Sequence, residues 1–240
     1  MSKDCGWINT KKEVSTQKKE MGVKDLNIFA NVFGKNEEQA KANRRFFDER
    51  RILAINLMSS PGAGKTALLE STVERLKGKF RIRAIEGDLA TQRDAERLRA
   101  KGIPAYQITT GQTCHIDAFM VNKALQQMDL VGGEILFIEN VGNLICPAYY
   151  ALGTHLNVVL LSVVEGEDKP AKYPLIFRKA DLLLITKMDL LAYVDFDVKR
   201  AMEEARRIQP ALKIHTLSSL TGEGMEEWCE ILMERKGKGA

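Results

Sequence analysis

Ile52-Leu53-Ala54-Ile55-Asn56-Leu57-Met58, followed at once by Ser59-Ser60-Pro61-Gly62-Ala63-Gly64-Lys65-Thr66, is the stretch on which the fold reading turns. An apolar run of strand length that ends in small residues, two glycines and Lys-Thr predicts a strand, a phosphate-binding loop and a helix start in succession. Glycine lets backbone N–H groups converge on phosphate oxygens. A lysine in this position reaches the outer phosphates, and the following hydroxyl ligates Mg²⁺. The helix opening at Lys65 adds the positive end of its dipole. Ser59 stands where such loops usually carry their first glycine, so the loop is a variant. Gly62, Ala63, Gly64, Lys65, Thr66 and Ala67 are its expected nucleotide contacts.

Downstream the pattern keeps alternating. Strands are predicted over 80–86, 104–109, 134–139, 157–163, 181–186 and 212–216, and helices over 65–77, 92–101, 115–127, 196–208 and 224–235. With the strand at 52–58 this makes an α/β protein: a mostly parallel sheet of about seven strands with helices on both faces. Right-handed crossovers gather the loops at the strand C-termini along one edge, which is the expected active edge. Upstream, residues 1–20 lack periodicity and read as a disordered tail. Leu26, Phe29, Val32, Phe33, Ala40, Phe46 and Phe47 predict a helical extension over 21–50, broken or bent near Gly34. The phosphate-binding domain is then 51–240.

Of the 240 residues 45% are apolar and 28% charged, as expected of a globular chain. The net charge of +4 lies wholly in residues 1–51, with 12 Lys and Arg against 8 Asp and Glu; the rest is balanced. A solvated basic tail and helix face accounts for that excess, contact with an acidic partner being the other reading, and no basic-aromatic interleaving points to nucleic acid. No apolar run approaches the ~18–20 residues needed to span a bilayer. The polar, Lys-rich start has no apolar core, so no secretory signal, no membrane insertion and a cytoplasmic location are expected.

The expected loops at the strand ends carry the chemistry. Glu86-Gly87-Asp88, with Thr91 and Asp94, and Glu139-Asn140-Val141-Gly142 place carboxylates beside the phosphate loop, where they can bind Mg²⁺ directly or through water. Gly142 lets its N–H approach a γ-phosphate. Thr186-Lys187-Met188-Asp189 resembles the Asn-Lys-x-Asp motif of GTPases: Asp189 accepts from N1–H and the N2 amine of guanine, and the Lys187 stem packs over the base. Thr186 in place of Asn is expected to weaken a loop-ordering hydrogen bond. Ser218-Ser219-Leu220-Thr221-Gly222-Glu223-Gly224 resembles the last GTPase loop, whose backbone meets guanine O6.

Thr113-Cys114-His115-Ile116-Asp117 is the other chemical feature. Cys and His both ligate Zn²⁺ and Ni²⁺. Adjacent helical residues diverge by ~100°, so the two share a metal only near a loop or a helix start, which is where they fall. Cys146 lies seven residues beyond Glu139 and supplies a third ligand, one short of a closed tetrahedral site. A packed thiol beside an imidazole is the other reading of the Cys-His pair. Cys5 and Cys229 complete the cysteines; no Cys-x-x-Cys pair occurs.

Together SSPGAGKT, EGDLATQRDAER, TGQTCHIDA, ENVGNLICPA, VVEGEDKPAKYP, TKMDLL and SSLTGEGMEEW resemble the HypB family, the GTPases that assist nickel insertion into hydrogenase, from about Asn36 onward. The resemblance implies a P-loop NTPase fold and a slow GTP hydrolase that dimerises with GTP or metal. It implies Mg²⁺ held by Thr66, Asp94 and Glu139, with Lys65, Asp88 and Asp94 serving hydrolysis and Asp88 orienting the attacking water. It further implies Ni²⁺, or Zn²⁺ in the same site, on Cys114, His115 and Cys146 at the subunit interface. The implied partners are a hydrogenase maturation protein and the hydrogenase large subunit. Related accessory GTPases for urease or a cobalamin enzyme, and a zinc-stabilised scaffold regulated by nucleotide, are the alternatives. Many members carry an N-terminal Cys-x-x-Cys-Gly-Cys motif or a His-rich stretch. Here only Cys5-Gly6 stands, and no His precedes His115, so nickel handling is expected to rest on the G-domain site.

Overall fold

The computed structural model describes residues 31–237. The expected tail over 1–20 and the start of the extension lie outside them. The sheet and its flanking helices lie in one compact unit, Asn36–Ala240. Residues 31–49 are helical (α1), Gly34 included. No break occurs at Gly34, which costs a helix only about 0.5–1 kcal/mol relative to Ala.

Seven strands follow: β1 Leu53–Ser59, β2 Ile82–Asp88, β3 Ala105–Thr109, β4 Ile135–Glu139, β5 Leu156–Ser162, β6 Leu182–Thr186 and β7 Lys213–Thr216. They form one sheet in the order β3-β2-β4-β1-β5-β6-β7, with every pairing parallel. The main flanking helices are α2 Lys65–Leu76, α3 Arg93–Ala100, α4 Ala118–Gln127, α7 Val198–Ile208 and α8 Met225–Gly237. From β1 the chain winds out to β2 and β3, returns to insert β4 beside β1, and then builds β5 to β7 on the other side. The loops therefore part at the C-terminal end of β1, where a parallel sheet opens its binding crevice.

All seven residues of β1 are buried, as a central parallel strand requires. Leu53, Ile55 and Leu57 face a core with Leu68 and Leu69 of α2 and Trp228 and Leu232 of α8. The Trp228 indole donates to Thr72 Oγ1 at 2.8 Å, which satisfies its one polar atom. Ala54 faces the opposite side with Ile85, Ile116, Ile138 and Phe47 of α1.

The observed elements differ from expectation in three places. Helix α4 begins at Ala118 rather than 115, because the Asp117 side chain accepts from Met120 N and caps it; Cys114 to Asp117 are thus loop. Strand β2 runs on to Asp88, which pairs with Thr109. Two short helices not expected, α5 Lys169–Lys172 and α6 Pro174–Lys179, fill the crossover after β5, each with a proline in its first turn. Among the described residues no helix is long and apolar enough to cross a membrane.

His155 joins α1 to the sheet. Its Nδ1 accepts from Ala54 N at 3.1 Å and its Nε2 lies 2.8 Å from Asp48 Oδ1, which makes it a neutral Nε2–H tautomer. Burial depresses its pKa, and although Asp48 pulls upward the net shift is down. The unfolded chain therefore binds this proton more readily, so stability rises with pH from the folded value up to the ordinary value of about 6.5 and is lost below. Thermal melts between pH 5.5 and 7.5 should show a shallower slope for His155→Asn than for the wild type; parallel slopes would refute the assignment.

Candidate nucleotide and metal sites

The loop between β1 and α2 is shaped by glycine where glycine is needed. Gly62 and Gly64 have φ of 76° and 97°, in the region that side chains disfavour. Ser59, in the place of the usual glycine, is fully buried. It accepts from Lys65 Nζ at 3.0 Å and donates to Ser60 O at 2.6 Å, so the variant serine parks the lysine. Thr66 Oγ1 donates to Glu139 Oε1 at 3.0 Å, and Lys65 Nζ lies 3.9 Å from the same oxygen.

A cavity of about 540 Å³ opens above this loop. It is bounded by Gly62, Gly64, Lys65, Thr66 and Ala67, by Glu86 to Leu89, by Asp94 and Arg97, by Glu139 to Gly142, and by Lys187. Ala63 lies beneath, fully buried. Glu86 and Glu139 are register partners on β2 and β4. Burial first, then the Glu139 charge, pushes Glu86 well above the usual carboxylate range. Glu139 is also raised by burial, against the pull of Lys65 and Thr66. Glu86 Oε1 and Glu139 Oε2 are buried with no hydrogen-bond partner among the described residues. Unsatisfied carboxylate oxygens beside a hydroxyl and a phosphate loop fit a hard divalent cation such as Mg²⁺. Asp88 differs. Burial acts to raise it, but Thr91 N at 2.6 Å and Ala90 N at 2.9 Å donate to its Oδ1 and the net shift is down, so it is an ionised group held by its own loop.

Beyond Lys187 the cavity leads to the TKMD segment. Lys187 takes a left-handed φ of 60°, uncommon for a residue with a side chain and a mark of functional strain. Thr186 Oγ1 donates to Ala63 O at 2.8 Å. The threonine thus bonds the TKMD segment to the phosphate loop. Asp189 accepts from Ser218 Oγ at 2.5 Å, while Ser219 Oγ lies 4.0 Å from Met225 Sδ. Asp189, Ser218 and Ser219 are not among the residues that bound the cavity, and Ser218 is fully buried.

On the other flank Cys114, His115 and Cys146 come together, their ligand atoms all within 4.8 Å of one another. The two sulfurs are 2.8 Å apart. Cys146 opens a 3₁₀ turn, Cys146–Tyr149. The His115 ring stacks on Tyr150 with centroids 3.9 Å apart and planes at 19°, and its Nδ1 is buried without a hydrogen-bond partner among the described residues. Burial lowers the His115 pKa, opposed by Asp117, which favours the neutral imidazole that metals bind. Cys146 is raised, chiefly by its hydrogen bond with Cys114. Two sulfurs and an imidazole suit a borderline-soft ion such as Ni²⁺ or Zn²⁺, with one coordination position left open.

One side chain touches both regions. Asn140 follows Glu139 directly; its Oδ1 accepts from Ile116 N at 3.1 Å and from Val141 N at 3.0 Å, and its own N–H donates to Leu57 O at 2.9 Å. Ile116 also packs where a Cβ at Gly87 would stand, with its Cδ1 2.5 Å from that position, so Gly87 has no room for a side chain. Asn140, Tyr150 and Arg97 were not singled out from sequence. Arg97 carried a signal, since it lies one helical turn after Asp94. Tyr150 carried none: its ring meets His115 only in the tertiary fold.

Residues 53–216 match the family CobW/HypB/UreG, nucleotide-binding domain. The chain is 48% identical over 212 residues to the hydrogenase maturation factor HypB of Azotobacter vinelandii, covering 88% of this chain and 70% of that one. It is 39% identical over 230 residues to the hydrogenase/urease maturation factor HypB of Helicobacter pylori strain J99, covering 94% of each. The crystal structure of HypB from Helicobacter pylori in complex with nickel superposes with a TM-score of 0.81 at 40% identity, covering 85% of this chain and 96% of that one.

A Cβ at Gly142 would lie 2.9 Å from Pro61 N, Cα and Cγ, so Gly142→Ala must push the 139–142 segment off the phosphate loop. Titration with a fluorescent guanine nucleotide should show affinity lower by about tenfold, or ~1.4 kcal/mol; unchanged affinity would mean the two segments do not need this approach.

Proposed function

This chain belongs to the HypB group of the CobW/HypB/UreG family, and on that premise we propose that it is a GTP-hydrolysing metallochaperone for nickel insertion into [NiFe]-hydrogenase. The observation that carries the reading is the contact of Asn140 with the backbone of Ile116. Through it the segment beginning at Glu139, bonded to Thr66, bears directly on the residue after His115.

In this reading Lys65 leaves Ser59 and neutralises the outer phosphates of GTP. Thr66, Asp94 and Glu139 hold Mg²⁺, which supplies charge neutralisation at the phosphates when bound; Glu86 completes the acidic surround. Asp88, kept ionised by its loop amides, orients the attacking water, and the Gly142 N–H meets the γ-phosphate. Arg97 is engaged in a bidentate pair with Glu70, at 2.7 and 2.6 Å. It is not a free cation for the transition state, in keeping with slow intrinsic turnover. Asp189, oriented by Ser218, selects guanine. GTP draws two copies into a homodimer, and the shift of 139–146 changes the hold of Cys114, His115 and Cys146 on nickel. Order and disorder of such a segment is an established way for GTPases to act. The metal passes to a maturation partner protein and the hydrogenase large subunit, in the cytoplasm. The relative named as a hydrogenase/urease maturation factor favours one second reading, delivery of the same metal to urease.

Nickel affinity measured with GDP and with a non-hydrolysable GTP analogue should differ by about fivefold or more, the usual size of a coupling between sites. Asn140→Leu should bring that ratio close to one. Equal affinity in the wild type in both states would sink the coupling. Asp189→Asn replaces an acceptor with a donor, so GTP affinity should fall about a hundredfold, or ~2.7 kcal/mol, while xanthosine triphosphate, which carries a carbonyl at C2, gains. A variant that still prefers GTP would overturn the guanine assignment.

A further inference from the structure

Cys114 and His115 lie in the loop before α4, while Cys146 lies on the turn after β4, 32 positions along the chain from Cys114. Helix α1 ties the two together. Asn36 Oδ1 accepts from Ala118 N at 2.9 Å, and its Nδ2 donates to Ala151 O at 2.9 Å. Asn43 Nδ2 donates to Ala118 O at 2.8 Å and to Leu152 O at 3.1 Å. The two asparagines stand seven residues apart, two turns of helix, and so share a face. They are 3% and 1% exposed. Each bridges the same two segments, through Ala118 on one side and Ala151 or Leu152 on the other.

These anchor points adjoin the metal ligands. Ala118 is the first residue of α4, three beyond His115. Ala151 follows Tyr150, whose ring stacks on His115. Holding α1 to the body does not need these amides, since Ala40 and Phe47 are buried on the same helix and Phe47 is part of the core beneath. Buried amides add little net stability once their desolvation is counted, but they admit only one arrangement of their partners.

We infer that Asn36 and Asn43 are positioning residues of the metal site: together they set the spacing of the Cys114-His115 loop against the Cys146–Tyr150 segment. The inference rests on the reading of Cys114, His115 and Cys146 as a nickel site. By this account α1 acts as an outer support for the ligands, of the kind whose loss costs metal sites about 10–100-fold in affinity.

The test uses the full chain with GDP bound. Nickel affinity is measured by competition with a chromophoric chelator, and the thiolate-to-nickel absorption band is recorded for Asn36→Ala, Asn43→Ala and, as a control on the same helix, Phe47→Leu. Each asparagine variant should bind nickel about tenfold more weakly with a shifted band, while GDP affinity stays within about twofold. Phe47→Leu should lower the melting temperature yet keep the band and the nickel affinity. Unchanged affinity and band in both asparagine variants would overturn the inference, and so would an equal loss in Phe47→Leu, since that makes the effect one of helix docking alone. Should one asparagine variant fail to fold, the other decides. Cys146→Ala separates the premise: if it binds nickel as the wild type does, the metal-site reading fails first.

Discussion

Glu139 is a carboxylate buried at the end of a central strand, and the chemistry of the molecule is arranged around the need to satisfy it. One oxygen accepts from Thr66 and faces Lys65; the other has no partner among the described residues. Its register partner Glu86 is likewise buried, and burial and the Glu139 charge push it away from its ionised form too. Two acids cannot both ionise in such a place without a cation. Lys65 supplies part of one charge; in the proposed reading a divalent ion brought in with a nucleotide would supply the rest. The site is therefore built for an occupant, and the occupant changes what Lys65 and Thr66 hold.

That change has a short route outward. Asn140 is the next residue in the chain, nearly fully buried, with its oxygen shared between Val141 N and Ile116 N. Ile116 in turn presses into the space left by the missing side chain of Gly87. The end of β2 and the segments after β3 and β4 thus meet at one point. Close packing makes such a junction switch between arrangements rather than deform smoothly. In the proposed reading this is the physical basis on which a phosphate and a metal ion a few residues apart along ENVGNLIC would influence each other.

Helix α1 enters the same arrangement from outside the sheet. Its Phe47 extends the core, and His155 joins it to β1. Arg44 Nε donates to Gly153 O at 2.7 Å, continuing the line of contacts begun by Asn36 and Asn43. Gly153 has a φ of 88° and leaves no space for a Cβ, which would stand against the Ala40 carbonyl, so the backbone after Tyr150 runs against the helix itself. An element that reads from sequence as a helical extension is also a brace for the segment that follows Cys146.

The phosphate loop, the parallel sheet and the order of its motifs are local matters, and the sequence by itself determined them. A strand apolar but for Asn56, glycines in the following loop and Lys-Thr at a helix start report on their own neighbourhoods within residues 52–66, and the strand-helix alternation downstream reports the sheet. Cys114-His115 was legible as a possible ligand pair for the same reason. What only the tertiary structure decided are relations between residues distant in the chain: Thr186 bonding Ala63, Tyr150 stacked on His115, Asn140 held against Ile116, and Asn36 and Asn43 spanning two loops. An asparagine in a helix or a tyrosine in a turn has no pattern of its own. Its partner is chosen by how the β-strands order themselves, and that order follows from burying both faces of the sheet at once rather than from any one segment.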